Sequence, residues 1–317
     1  MMKSMILIRK LMKFLKKEDD KMKFENIAYE WIEYKRNSVK ESTYYNYMFI
    51  IDKYLKDRYE NKNIAELRNF NDLVQELSQK LSSKTIRDIV NVLKAILKYY
   101  EVEYGTNLNY RRTSVPKLEK SNIKILSDKE KDRIEKYCLE ENSLKSLGII
   151  LCLNTGLRVG EICALKWKDI DLEEKNLYVK KTLQRVYDRK NRKSNVIIDR
   201  PKTENSVRCI PINNKLYAIL KSINIKYKDK DFFLTGDEKK FVEPRNYQRA
   251  FRNILIKSKV KTIKFHTLRH TFATNCIDVG MDIKALSEIL GHSSVEITLN
   301  KYVHSSRKMK KKYLEKI

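Results

Sequence analysis

Four histidines serve the whole 317-residue chain, and residues 1–265 contain none of them. His266, His270 and His292 lie between Phe265 and Tyr302, and His304 follows two residues later. Proton transfer near neutral pH mostly uses histidine, so acid–base chemistry is expected in this stretch. His266 and Arg269 stand three apart and share a helical face. The same spacing also suits a solvated face. His266 and His270 have the i, i+4 spacing of zinc ligands, but Arg269 lies between them and no Glu follows His266. The metalloprotease pattern is absent, and no metal is expected. A second candidate is Arg158, in Asn154-Thr-Gly-Leu-Arg158-Val-Gly-Glu161. Gly156 ends one helix there, and the next starts near Arg158. An arginine in a first helical turn opposes the dipole but lies among free N–H donors, a place suited to gripping an anion. A plain joint between two helices would read the same way.

The elements that must carry these groups can be read from spacing. Leu268, Phe272, Cys276 and Val279 recur at helical intervals and predict a buried face. His266 and Arg269 then lie about opposite it. Gly280 stops that helix. Ile283, Leu286 and Leu290 predict a second short helix ended by Gly291, with His292 in the turn. Ser294 can cap a third, carrying Val295, Leu299 and Tyr302. Tyr302 continues that apolar stripe, so periodicity alone assigns it to the core.

Composition bounds the partners. The chain has 68 Lys+Arg against 41 Asp+Glu, a net charge of +27 spread along its length. A folded protein this basic needs a polyanionic partner or a tolerant compartment. Nucleic acid is the first candidate and an acidic membrane surface the second. Cys138, Cys152, Cys163, Cys209 and Cys276 are odd in number and widely spaced, and they read as buried, reduced thiols of a cytoplasmic protein. No apolar run approaches the roughly 20 residues of a membrane span.

In chain order, residues 1–22 form a basic N-terminal arm, and residues 23–105 predict a small helical unit. Phe24 to Ile32 give a first helix there. Ser42 or Thr43 can cap a second, and Ser83 can cap another that carries Ile86, Ile89, Val90, Leu93, Ile96 and Leu97. Lys35, Arg36, Lys40, Lys84, Arg87 and Lys94 make this unit basic and are its candidate DNA contacts. Residues 106–120 lack an apolar period and read as a linker, with Arg111 and Arg112 placed to track a phosphate backbone. Residues 121–317 form the second unit. It opens on Ser127-Asp-Lys-Glu130, a capping-box pattern. Asn176–Thr182, Asn195–Asp199 and Ser206–Ile212 predict a small antiparallel sheet. Arg200–Asn205 is read as the turn joining the last two strands, with Lys202 at its tip. The tail after Tyr302 places Met309, Tyr313 and Ile317 four residues apart, an apolar stripe on a basic segment. The fold class expected is mainly α with a small antiparallel β-sheet (α+β), in two domains.

Each motif is weak alone; their order and company are specific. Thr155-Gly-Leu-Arg158-x-x-Glu161, Pro201-Lys202-Thr203, His266-x-x-Arg269-His270, Leu290-Gly-His292-Ser293 and Tyr302 together resemble the tyrosine recombinase (phage integrase) family. The resemblance is closest to integrases of conjugative transposons and phages of low-GC Gram-positive bacteria. It covers residues 121–317 as the catalytic domain, and the helical unit resembles the family's SAM-like core-DNA-binding domain. It implies that Arg158 and Arg269 clamp the scissile phosphate, Lys202 protonates the leaving 5′ oxygen and His266 is the general acid/base. His292 would contact the phosphate and Tyr302 would be the nucleophile. Glu161 would hold side chains of the site, with His270 in a supporting role. It further implies double-stranded DNA as partner, a homo-tetramer on two DNA sites, accessory DNA-bending or excision factors, and no cofactor.

These residue types suit the reaction. Two guanidiniums offer planar donors to the non-bridging oxygens and neutralise charge in the transition state, so no metal is required. A tyrosine is about one part in a thousand ionised at pH 7, so reaching phenolate costs about 4 kcal/mol, which a base and a cationic site can supply. A covalent phosphotyrosine conserves the energy of the broken bond, so rejoining needs no ATP. Within the class, a chromosome-dimer-resolving recombinase or an invertase differs from the integrase of a mobile element only in its target site, and three readings outside it compete. A type IB topoisomerase uses similar residues, a non-catalytic DNA-binding protein would keep only the fold, and a peripheral membrane protein would use only the basic surface.

Overall fold

The computed structural model describes residues 22–67, 69–108, 110, 113–117, 123–188, 193–199, 207–224, 226–302 and 315. Two compact units divide the chain, one of Met1–Ser121 with Val186–Asn195 and one of Asn122–Arg185 with Val196–Ile317. The basic arm is outside the described residues, except for Met22.

The first unit is helical: α1 (Phe24–Lys35), α2 (Glu41–Ile50), a π-helical turn at Ile51–Leu55 running into α3 (Lys56–Tyr59), α4 (Asn71–Ser78) and α5 (Ser83–Tyr104). The α5 stripe from Ile86 to Leu97 is buried as its period predicts. The Ser82 hydroxyl caps this helix one residue before the expected position, accepting from the Thr85 N–H. Glu41, not Ser42 or Thr43, opens α2, and Lys40 precedes it with no side-chain cap. Much of the expected linker packs on this unit. Leu108 and Tyr110 are buried in its core. The Glu101 carboxylate accepts from the Leu108 N–H at 2.7 Å and from the Tyr110 hydroxyl at 3.0 Å. Two isolated apolar residues carry no period, yet each finds a buried seat.

The second unit opens with α6 (Asp128–Glu141), where the expected Ser127/Glu130 capping box forms. The apolar α7 (Leu144–Thr155) ends at Gly156, whose φ is +66°. The short α8 (Val159–Ala164) follows from Arg158. The strands are β1 (Ile170–Asp171), β2 (Asn176–Val179), β3 (Thr182–Asp188), β4 (Lys193–Asp199) and β5 (Arg208–Pro211). Their pairing differs from the expected hairpin. β1, β2 and β5 make one antiparallel sheet in that order, while β4 pairs with β3. Leu177 and Ile210 face one another across β2 and β5 and are both buried, so β5 pairs where its inward residues meet the core. Residues 200–206, with Lys202, are outside the described residues, and β4 and β5 on either side of them lie in different sheets.

Five helices complete the unit: α9 (Asn214–Asn224), α10 (Pro244–Lys257), α11 (His266–Asp278), α12 (Ile283–Leu290) and α13 (Val295–Tyr302). Gly280 and Gly291 follow α11 and α12 with positive φ, as expected. Val279, expected on the buried face of α11, is exposed. Four cysteines are buried and unbonded, while Cys209 is exposed on β5. No described helix is long and apolar enough to cross a membrane.

Candidate active site

Three guanidiniums converge on the C-terminal end of α12. Arg208 donates from Nε to the Ile289 carbonyl at 2.6 Å. Arg269 donates from Nη2 to the Leu290 carbonyl at 2.6 Å, and Arg158 from Nη2 to the Gly291 carbonyl at 2.9 Å. The last carbonyls of a helix have no partner within it and form the negative end of its dipole. Here successive orphan carbonyls each hold one cation. The sequence folds this way because Asp282 caps α12 at its start and Gly291 turns it sharply at its end.

One carboxylate ties two of the three together. Glu161 accepts from Arg208 Nη1 and Nη2 at 3.0 and 2.9 Å and from Arg158 Nη1 at 2.7 Å. It also caps α8 by accepting from the Arg158 backbone N–H at 2.7 Å. Burial is the largest single influence and would raise its pKa, but the charges and hydrogen bonds of Arg208 and Arg158 together outweigh it and hold the carboxyl at about 2. Three guanidiniums against one carboxylate leave an excess of positive charge, the arrangement that binds an anion.

Arg269 is 1% exposed. Its Nη1 donates to the Gly156 carbonyl at 2.9 Å, so both ends of its fork are held by backbone. The face of α11 opposite the apolar stripe is therefore buried at Arg269, half-buried at His270 and open at His266. Burial, then the neighbouring Arg158, lowers the Arg269 pKa to about 9, and the group stays charged at neutral pH.

Tyr302 is 7% exposed and lies among these groups. Its hydroxyl is 2.8 Å from His270 Nδ1. The His292 ring lies parallel to the phenol with centroids 6.2 Å apart. His292 Nδ1 is 2.8 Å from the Thr298 hydroxyl, leaving Nε2 as its other polar atom. His266 is exposed and meets the His270 ring edge to face, with centroids 4.5 Å apart. Partial burial of the ring, then the charges of His270 and Arg269, lowers His266 to about 4 although its edge is open to solvent. Burial, ahead of neighbouring cations, lowers His270 to about 4 and His292 to about 3, so all three are neutral at pH 7. Burial raises the Tyr302 phenol, while Arg269 and Arg158 act against it.

The inward face of α13 is not the expected apolar one. Thr298 and Tyr302 are buried, whereas Val295 and Leu299 are exposed. The bonds from Thr298 to His292 and from Tyr302 to His270 choose the face. The structure thus brings together Arg158, Glu161, His266, Arg269, His270, His292 and Tyr302. Arg208 is a further member that sequence reasoning missed. The signal was present: β5 alternates with Arg208 and Ile210 inward, and an inward charge on a strand demands a buried partner.

The candidate DNA contacts of the first unit differ in freedom. Lys84 is exposed, and Lys35, Lys40 and Lys94 are half-buried. Arg36 pairs with Glu33 at 3.2 Å. Arg87 donates to the Pro116 carbonyl at 3.0 Å and so fixes the chain after α5. Arg111 and Arg112 lie outside the described residues. Among the described residues no cluster of His, Cys, Asp and Glu could hold a metal ion.

Residues 118–309 match the phage integrase family, and residues 23–82 match the N-terminal SAM-like domain of phage integrases. The chain is 34% identical to a XerC-like tyrosine recombinase of Caldanaerobacter subterraneus, over 80% of this chain and 70% of that protein. It is 25% identical to the integrase of Staphylococcus phage L54a, over 93% of this chain and 92% of that one. Its fold matches the Tn1549 transposon integrase solved in complex with transposon right-end DNA, with a TM-score of 0.75 at 24% identity over 93% of this chain and 99% of that one. A mainly helical two-unit fold with these motifs in this order defines a tyrosine recombinase. The chain belongs to the phage integrase family.

Proposed function

We propose that this chain is a site-specific DNA recombinase, the integrase of a mobile element, which cleaves and rejoins double-stranded DNA through a covalent 3′-phosphotyrosyl intermediate without metal or ATP. The observation that supports it best is the setting of Tyr302, whose buried hydroxyl is held beside Arg269, His270 and His292. In this reading Arg158 and Arg269 take the non-bridging oxygens of the scissile phosphate. Both guanidiniums are held in place through backbone carbonyls. His292 adds a further contact through Nε2. Lys202 protonates the leaving 5′ oxygen, and His266 serves as acid/base at the exposed edge. Glu161 keeps Arg158 in place. The basic residues of the first unit contact the phosphate backbone outside the site. Four protomers act on two DNA sites in the cytoplasm, with accessory DNA-bending or excision factors as further partners.

A plasmid recombination assay tests this reading. A supercoiled plasmid carrying two copies of the joined element ends should yield recombinant circles, and Tyr302→Phe should yield none. Relaxation of any supercoiled plasmid, without those ends and without recombinants, would instead favour the topoisomerase reading.

A further inference from the structure

The phenol proton has to go somewhere when Tyr302 attacks, and the hydrogen bonds around Oη point to one acceptor. His270 Nδ1 lies 2.8 Å from it. His266, the residue that the family pattern puts forward as acid/base, meets the His270 ring instead. The described rings in contact with Tyr302 are those of His270 and His292. His292 has its Nδ1 engaged by Thr298.

We propose that His270, rather than His266, holds the Tyr302 hydroxyl and takes its proton during strand cleavage, an inference that rests on the recombinase reading above. The step balances as follows. The Oη–P bond forms and the P–O5′ bond breaks. The Oη proton passes to His270 Nδ1, and the 5′ oxygen takes a proton from a separate acid, Lys202 in that reading. On rejoining, the 5′ hydroxyl attacks phosphorus, the Oη–P bond breaks and His270 returns the proton to Oη.

This proton transfer requires one tautomer of His270. For Tyr302 to donate, Nδ1 must carry the lone pair, so the ring proton sits on Nε2. That requires a neutral ring, and burial with the charges of Lys301 and Arg269 keeps it neutral. Those same cations make His270 a weak base while the site is empty. A phosphodiester held by Arg158 and Arg269 brings a negative charge that offsets their repulsion and favours imidazolium. A bound phosphodiester would thus strengthen His270 as a base.

The test is single-turnover formation of the covalent adduct on a nicked duplex bearing the element ends. His270→Ala should slow adduct formation by about 10²-fold or more, while binding the same duplex in a gel shift. A fluorinated tyrosine at position 302, whose phenol is more acidic, should recover most of that loss in His270→Ala and none in Arg158→Ala. Such rescue would not follow if His270 only filled space. Adduct formation by His270→Ala at the wild-type rate would overturn the proposal. So would a slow His270→Ala that the fluorinated residue leaves slow, or rescue of His266→Ala alone. Failure of the wild-type chain to form any adduct on these ends would overturn the recombinase reading itself.

Discussion

Arg208 grips Glu161 through both terminal nitrogens of its guanidinium, at 3.0 and 2.9 Å, and the two side chains are 5% and 3% exposed. A bidentate buried pair of this kind is costly to break from one side, because the remaining charge stays buried without its partner. Glu161→Gln should therefore destabilise the second unit by about 3 kcal/mol or more, seen as a lower thermal midpoint. It should also slow adduct formation, because Arg158 loses its tether. A variant with the wild-type midpoint would contradict the role given to this pair. The folded Glu161 carboxyl sits at about 2, below its unfolded range. Its contribution is thus complete above a pH of about 4.5 and lost as pH falls through about 2.

The histidines act in a different pH window. Their folded values of about 4 for His266 and His270 and about 3 for His292 lie below the unfolded value of about 6.5. On acidification the unfolded chain binds protons first, so stability falls as pH drops from about 6.5 and levels off once the folded rings also charge. The urea midpoint of the second unit should be lower at pH 5 than at pH 7.5. Equal midpoints would show that these rings are not held neutral by burial.

Gly156 has a steric role that a matched control isolates. Its φ is +66°, and an added Cβ would meet Phe272 at 2.6 Å and Leu290 at 2.9 Å. Gly105 has a φ of +63° with nothing within 4 Å of the same atom. Both alanine variants incur the cost of a left-handed residue, about 1–2 kcal/mol. Gly156→Ala should lose about 1–3 kcal/mol more, and it should slow adduct formation because the Gly156 carbonyl orients Arg269. Equal losses at the two positions would refute the close approach.

Arg158 and Arg269 should separate in stability. Arg158→Ala and Arg269→Ala should each slow cleavage by about 10²-fold or more, the scale of losing a transition-state donor. Arg269→Ala should lower the thermal midpoint more, since it strands the buried carbonyls of both Gly156 and Leu290, whereas Arg158→Ala strands that of Gly291 and leaves Glu161 still paired with Arg208. Excess chelator should leave the wild-type rate unchanged, because the charge in the site comes from side chains. A strict magnesium requirement for adduct formation would contradict this.

Much of this was legible in the sequence because it is local. The Ser127/Glu130 capping box, the turn at Gly156 and the Leu286–Leu290 stripe each depend on neighbours within a few residues. What was not legible is decided at long range. Arg208 finds Glu161 across 47 positions, and β5 finds β2 rather than β4. The inward face of α13 is chosen by Thr298 and Tyr302, whose partners His292 and His270 lie on other segments. Hydropathy favoured Val295 and Leu299 there, because it weighs apolar area and not buried hydrogen bonds. The residues after α5 pack through Leu108 and Tyr110, too few to form a period.

The account rests most heavily on Tyr302 as the attacking group. The direct measurement is to trap the protein on a nicked duplex bearing the element ends, digest the denaturant-resistant adduct and locate the nucleotide-bearing peptide by mass spectrometry. The account predicts a nucleotide attached to Tyr302 in the wild-type chain and no adduct at all in Tyr302→Phe. An adduct on Tyr313 or any other residue, or one that persists in Tyr302→Phe, would contradict it.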